Sequence, residues 1–114
     1  DADIQDVAAY FAKANCSVPG GDKAKADLGK AKAAAAGCAA CHNSGGLRGA
    51  GVAGVSGVQA WPNLAGQNAA YLTIALKAFQ DGSRNHAVMT SVAKTLSASD
   101  IDNLAAYYAT ASCK

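Results

Sequence analysis

Residues 37–46 read GCAACHNSGG. They hold two of the chain's four cysteines and one of its two histidines, straight after an alanine-rich run. Cys38 and Cys41 stand three positions apart, so one helical turn puts both thiols on one side. His42 follows directly. Several chemistries use such a cluster. A zinc site needs a second ligand pair at suitable spacing, and Cys16, His86 and Cys113 are scattered. A thioredoxin-like dithiol expects a βαβ setting, and no strand pattern adjoins this one. A haem attachment site needs only C-x-x-C-H: the two thiols add to the two vinyl groups, and the histidine reaches the iron from the same side. The spacing therefore predicts a covalent haem held by Cys38 and Cys41, with His42 as one axial ligand.

Composition agrees with a large apolar cofactor. The chain has 114 residues, enough for one domain. Its apolar fraction of 51% is misleading, because 29 of those residues are alanine. Leu, Ile, Val and Phe together number 19, below the roughly 20% of a chain at which a packed core becomes doubtful. Charged residues make up only 16%, so this is no disordered polyampholyte either. A cofactor in the core, approached closely by alanine-rich helices, resolves the conflict. The formal charge of +2 is too small to argue for nucleic acid. Lys23, Lys25, Lys30 and Lys32 read as a solvated helix face, or as a docking face for an acidic partner. No apolar run approaches the roughly 20 residues of a membrane span. No signal peptide is visible, but a mature chain would have lost one.

Helical periodicity accounts for the rest. Residues 3–15 place Ile4, Val7, Ala8 and Phe11 on one face. Asp22 can cap a second helix over about 22–37, and residues 43–60 form a glycine-rich loop. A third helix is expected over 67–80, burying Leu72, Ala75, Leu76 and Phe79 and ending at Gly82. A short helix is expected over 86–94. Ser97 and Asp100 then offer a capping box for a last helix running to about 112. No segment reads as a convincing strand, so the domain is expected to be all-α, with four or five helices around the haem. Residues 3–17 also align without gaps to residues 100–114, with eight of fifteen positions identical. Residues 1–17 thus read as the closing helix of a preceding, similar domain, and 18–114 as the mono-haem domain itself.

The iron's sixth position needs an occupant. Met89 is the chain's one methionine and lies downstream of the third helix. Ordinarily a methionine is a flexible core filler. With a haem motif upstream and a core short of large side chains, it is the expected distal ligand. His86, three residues earlier, is the rival.

With these residues in view, the chain resembles class I cytochromes c, and more closely the di-haem cytochrome c4 type. The likeness rests on CAACH (38–42), PNLAGQNAAYL (62–72), FQDGSRNHAVM (79–89) and LSASDIDNLAAYYA (96–109). It implies the class I cytochrome c fold and one haem c with His42 and Met89 as axial ligands. It implies that Arg84 meets a haem propionate, where a guanidinium fork suits a carboxylate. It implies that Pro62 and Leu64 line the haem. Trp61, Gln67 and Tyr71 are further candidates, with plain packing or helix capping as the alternative. A backbone carbonyl in the loop after His42 is expected to orient the imidazole. The resemblance also implies export to the bacterial periplasm, an oxidising compartment where free thiols are unusual. A Cys16–Cys113 disulfide is then expected, with pairing between chains or two free thiols as alternatives.

The function implied is one-electron transfer between redox proteins, not enzymatic catalysis. The donor would be of the quinol-oxidising class and the acceptor a terminal oxidase or reductase. Two alternatives remain. The chain could be the electron-entry module of a larger haem- or copper-containing enzyme, or a haem protein whose sixth site opens, as in a peroxidase or gas sensor. The N-terminal helix would pack on this domain, on a second cytochrome domain or on a second copy of the chain.

Overall fold

Helix ends in this chain are set by side-chain caps and by left-handed glycines. The computed structural model describes residues 1–13, 21–42, 62 and 64–111. The glycine-rich loop, Trp61, Cys16 and Cys113, each assigned a role above, lie outside the described residues. The Asp22 carboxylate accepts the Lys25 N–H at 3.0 Å and starts α2 (Lys23–Ala35), which follows α1 (Ala2–Lys13) in the chain. Gly37 has φ 73°, a conformation costly to any residue with a Cβ. The single helix expected over 22–37 therefore stops short, and α3 (Cys38–His42) starts afresh with the haem motif. Asn68 caps α4 (Ala69–Asp81), and Gly82, with φ 83°, ends it. His86 caps α5 (Ala87–Ala93). The expected capping box starts α6 (Ala98–Thr110): the Ser97 N–H donates to Asp100 at 2.9 Å and the Asp100 N–H donates to Ser97 Oγ at 3.1 Å. The described residues form six helices, not four or five, and no strand. The all-α expectation holds; the extra element comes from the break at Gly37.

Packing is organised by α6, whose Ile101, Leu104, Ala105 and Tyr108 are all buried. These are the four positions that helical spacing had put on one face. α2 lies along α6 and α4 packs against it. The α2–α6 approach depends on Gly29: a Cβ there would run into the carbonyl of Asn103 and stand 2.7 Å from Tyr107 Cβ. Ion pairs flank the seam, Lys25 with Asp102 at 2.9 Å and Lys32 with Asp100 at 3.1 Å. Lys23 pairs with Asp27 at 2.6 Å within α2. Leu72, Leu96 and Ala33 complete the core. Of the α4 residues expected inside, only Leu72 is buried; Ala75, Leu76 and Phe79 are half-buried. All three line a cavity, and Leu76 also packs against the core.

α1 behaves differently. Its predicted apolar face forms, but Ile4, Val7, Tyr10 and Phe11 are 57–71% exposed. α1 touches no other described helix. The expectation that this face packs on the domain itself is therefore not met within the described residues.

Candidate haem site

A cavity of about 230 Å³ lies among α3, α4, α5 and α6, and chiefly apolar side chains line it. The residues singled out from sequence converge on it. Cys38, Cys41 and His42 enter from α3, and Met89 from α5. Pro62 and Leu64 line it, as do Gln67, Tyr71 and Arg84.

His42 is 5% exposed, and its Nδ1 stands 2.8 Å from the carbonyl oxygen of Pro62. A carbonyl oxygen only accepts, so Nδ1 carries the hydrogen. Nε2 is then left as the basic nitrogen, the tautomer a metal ligand requires. The orienting carbonyl thus belongs to Pro62, the residue that opens the PNLAGQ stretch.

Met89 is half-buried and touches His42. His86, the rival sixth ligand, is exposed and absent from the cavity wall. Its Nδ1 instead accepts the Met89 N–H at 3.4 Å, and its own N–H donates to Thr90 Oγ1 at 3.0 Å. A capping geometry accounts for this residue.

The Cys38 and Cys41 side chains are half-buried. Burial pushes the Cys38 thiol above its ordinary pKa, and a hydrogen bond with Tyr108 opposes part of that rise. Tyr108 is 4% exposed and also lines the cavity. Burial, first of all, holds its phenol above the usual 10.0. Helical spacing had marked Tyr108 as buried, but spacing cannot tell a core wall from a cavity wall. Phe79 was missed as a lining residue for the same reason, and Val88, which also lines the cavity, was not singled out at all.

Arg84 sits exposed at the rim, with its guanidinium carbon 4.6 Å from the centre of the Phe79 ring. That stacking restrains a cation whose donors can still meet a carboxylate. Tyr71 is 50% exposed at the mouth. Gln67 accepts the Asn68 N–H through Oε1 at 2.9 Å, the helix-entry role weighed as its alternative.

The donor set fits a covalently attached haem. An imidazole and a thioether meet within one apolar cavity, two thiols stand beside the imidazole, and a guanidinium stands at the rim. Residues 26–112 match the family model described as cytochrome c. The chain belongs to the cytochrome c family. Membership of this family implies a covalently bound haem c. The chain is 47% identical over 74 residues to the "thiosulfate dehydrogenase electron acceptor" of Thiomonas intermedia, covering 65% of this chain and 31% of that protein. It is 35% identical over 118 residues to cytochrome c4 of Stutzerimonas stutzeri, covering 94% and 53% respectively. The solved cytochrome c4 of Acidithiobacillus ferrooxidans superposes with a TM-score of 0.75 at 30% identity, over 96% of this chain and 63% of that one. The chain thus spans about a third to a half of these curated relatives. No helix among the described residues is long and apolar enough to cross a membrane.

Proposed function

We propose that this cytochrome domain carries one haem c, bonded to Cys38 and Cys41 and ligated by His42 and Met89, and shuttles single electrons between redox proteins. The observation that carries this is the meeting of Met89 with His42 in one apolar cavity, with His42 Nδ1 tied to the Pro62 carbonyl. The haem would supply one-electron exchange between ferric and ferrous iron. The chain's residues do the remainder. His42 offers Nε2 because Pro62 holds Nδ1. Met89 offers a soft thioether, which favours the ferrous form and raises the potential. Leu64, Leu72 and Leu104 keep water from the cavity. Arg84 faces the rim, where a propionate carboxylate would lie. With His42 and Met89 both engaged, the chain would leave a substrate no access to the metal, and the group would supply electron exchange alone.

The partners are redox proteins: a donor of the quinol-oxidising class and an acceptor of the oxidase or reductase class. A thiosulfate-oxidising enzyme is a further donor class, given the name of the Thiomonas relative. The compartment is the bacterial periplasm, where Cys16 and Cys113 would be joined.

Residues 1–17 belong, in this reading, to a preceding cytochrome domain. Ile4, Val7, Ala8 and Phe11 occupy the repeat positions of Ile101, Leu104, Ala105 and Tyr108. The second set is buried against its own domain, and the α1 residues are exposed. The full-length gene product should then carry two haems per chain by the pyridine haemochrome assay; one haem would refute the tandem arrangement.

The axial ligands are tested by optical spectra of the haem-loaded protein, oxidised, reduced, and reduced under carbon monoxide. A low-spin ferrous spectrum that carbon monoxide leaves unchanged is the expected result. A prompt shift would mean an open sixth site, and would favour the peroxidase or sensor reading.

A further inference from the structure

We infer that Gln80 is the positioning residue for Met89. The inference rests on Met89 being the sixth ligand. Met89 rides on α5, a seven-residue helix that touches α4 and no other described helix. A helix of two turns has little stability of its own, so its placement comes from its packing on α4 and from what holds its ends. The chain leaves α4 at Gly82, passes through α5 and reaches α6 after Leu96. This strap is tied at both ends to the last turn of α4.

At the outgoing end, the Arg84 N–H donates to the Ala78 carbonyl at 3.0 Å. At the returning end Leu96 packs into the core, and the hydrogen-bonded tie comes from one side chain. Gln80 Nε2 donates to the Ala93 carbonyl at 3.0 Å and to the Leu96 carbonyl at 2.8 Å. Ala93 is the last residue of α5 and fully buried, and Leu96 is 5% exposed. One carboxamide therefore spends both its hydrogens on the two ends of the α5–α6 turn. It closes the strap onto the helix it left. Gln80 does not line the cavity, so it acts on Met89 through the strap and not by contact.

A thioether is a weak ligand, held largely because the chain keeps it nearby. Freeing one end of the strap lowers the effective concentration of sulfur at the iron. An added ligand that competes with the sulfur then binds more tightly.

The test uses the haem-loaded, full-length ferric protein titrated with imidazole and followed by absorption. The chains compared are the parent, Gln80→Leu, Gln80→Ala and Met89→Ala. Gln80→Leu keeps the size and loses both donors. Gln80→Ala leaves room for water to satisfy the two carbonyls, and serves if the leucine chain does not load haem. Losing two hydrogen bonds of ordinary net strength should tighten apparent imidazole binding about tenfold. Imidazole should bind Met89→Ala more tightly still, and adding a Gln80 substitution to that chain should change nothing further. Parent-like imidazole binding in the Gln80 chains, even with lowered melting temperatures, would overturn the inference and leave Gln80 a structural brace. If Met89→Ala binds imidazole like the parent, the axial assignment itself fails and the inference falls with it. That result is separate from the Gln80 comparison.

Discussion

His86 and Met89 stand three residues apart, and the sequence offered both as ligands. Their fates diverge because of local geometry. His86 turns its Nδ1 back to the start of α5, while Met89 faces the cavity. At this scale the sequence singles out Cys38, Cys41, His42 and Met89, and all four line one cavity. The Pro62 carbonyl was not legible, because a backbone acceptor has no residue-type signature. Asp100 gives a prediction at the same scale. The Ser97 N–H, and then Lys32, hold its carboxyl below the ordinary 3.8. Lys25 does the same for Asp102. A folded pKa below the unfolded one stabilises the fold at pH above 3.8, and the contribution is lost as pH falls through the lower folded value. Thermal melts should therefore show the parent losing stability as acid is added through and below 3.8, and Asp100→Asn should have a shallower slope there.

At the scale of the element, periodicity carried α6 completely. Its four spaced residues are buried, and its capping box is present. α4 was half legible. The pattern marked its apolar face, but an apolar face reads the same whether it meets side chains or a cofactor. The helix expected over 22–37 ends within two residues of its expected end, but a separate helix over CAACH was not expected; the φ of 73° at Gly37 separates α2 from α3. Gly29 was also silent in the sequence, since its meaning lies in a residue 74 positions away, Asn103. Gly29→Ala would force α2 away from α6. The expected cost is about 1–3 kcal/mol, readable as a lower denaturant midpoint. Unchanged stability would mean that the seam has slack.

For the whole molecule, the thin core is the governing fact. Among the described residues, Ile101 is the one large side chain less than 2% exposed, and alanines fill many of the other buried positions. Side chains alone bury too little surface to support the fold, so the haem-free chain should be largely unfolded by far-ultraviolet circular dichroism. Native-like ellipticity without haem would contradict this. α1 sits outside that economy. Deleting residues 1–13 should leave the haem spectrum and the melting temperature of the remaining domain unchanged, because no described helix packs on α1. The lysines of α2 lead to a different property. Lys23, Lys25 and Lys32 each meet an aspartate, so what reads as a basic run projects little net field into solvent. Long-range steering falls steeply with ionic strength only where such a field exists. Encounter rates with a redox partner at this face should accordingly be almost flat from low to high salt in stopped-flow traces. Diffusion and apolar contact, not attraction at a distance, would set the pace of delivery.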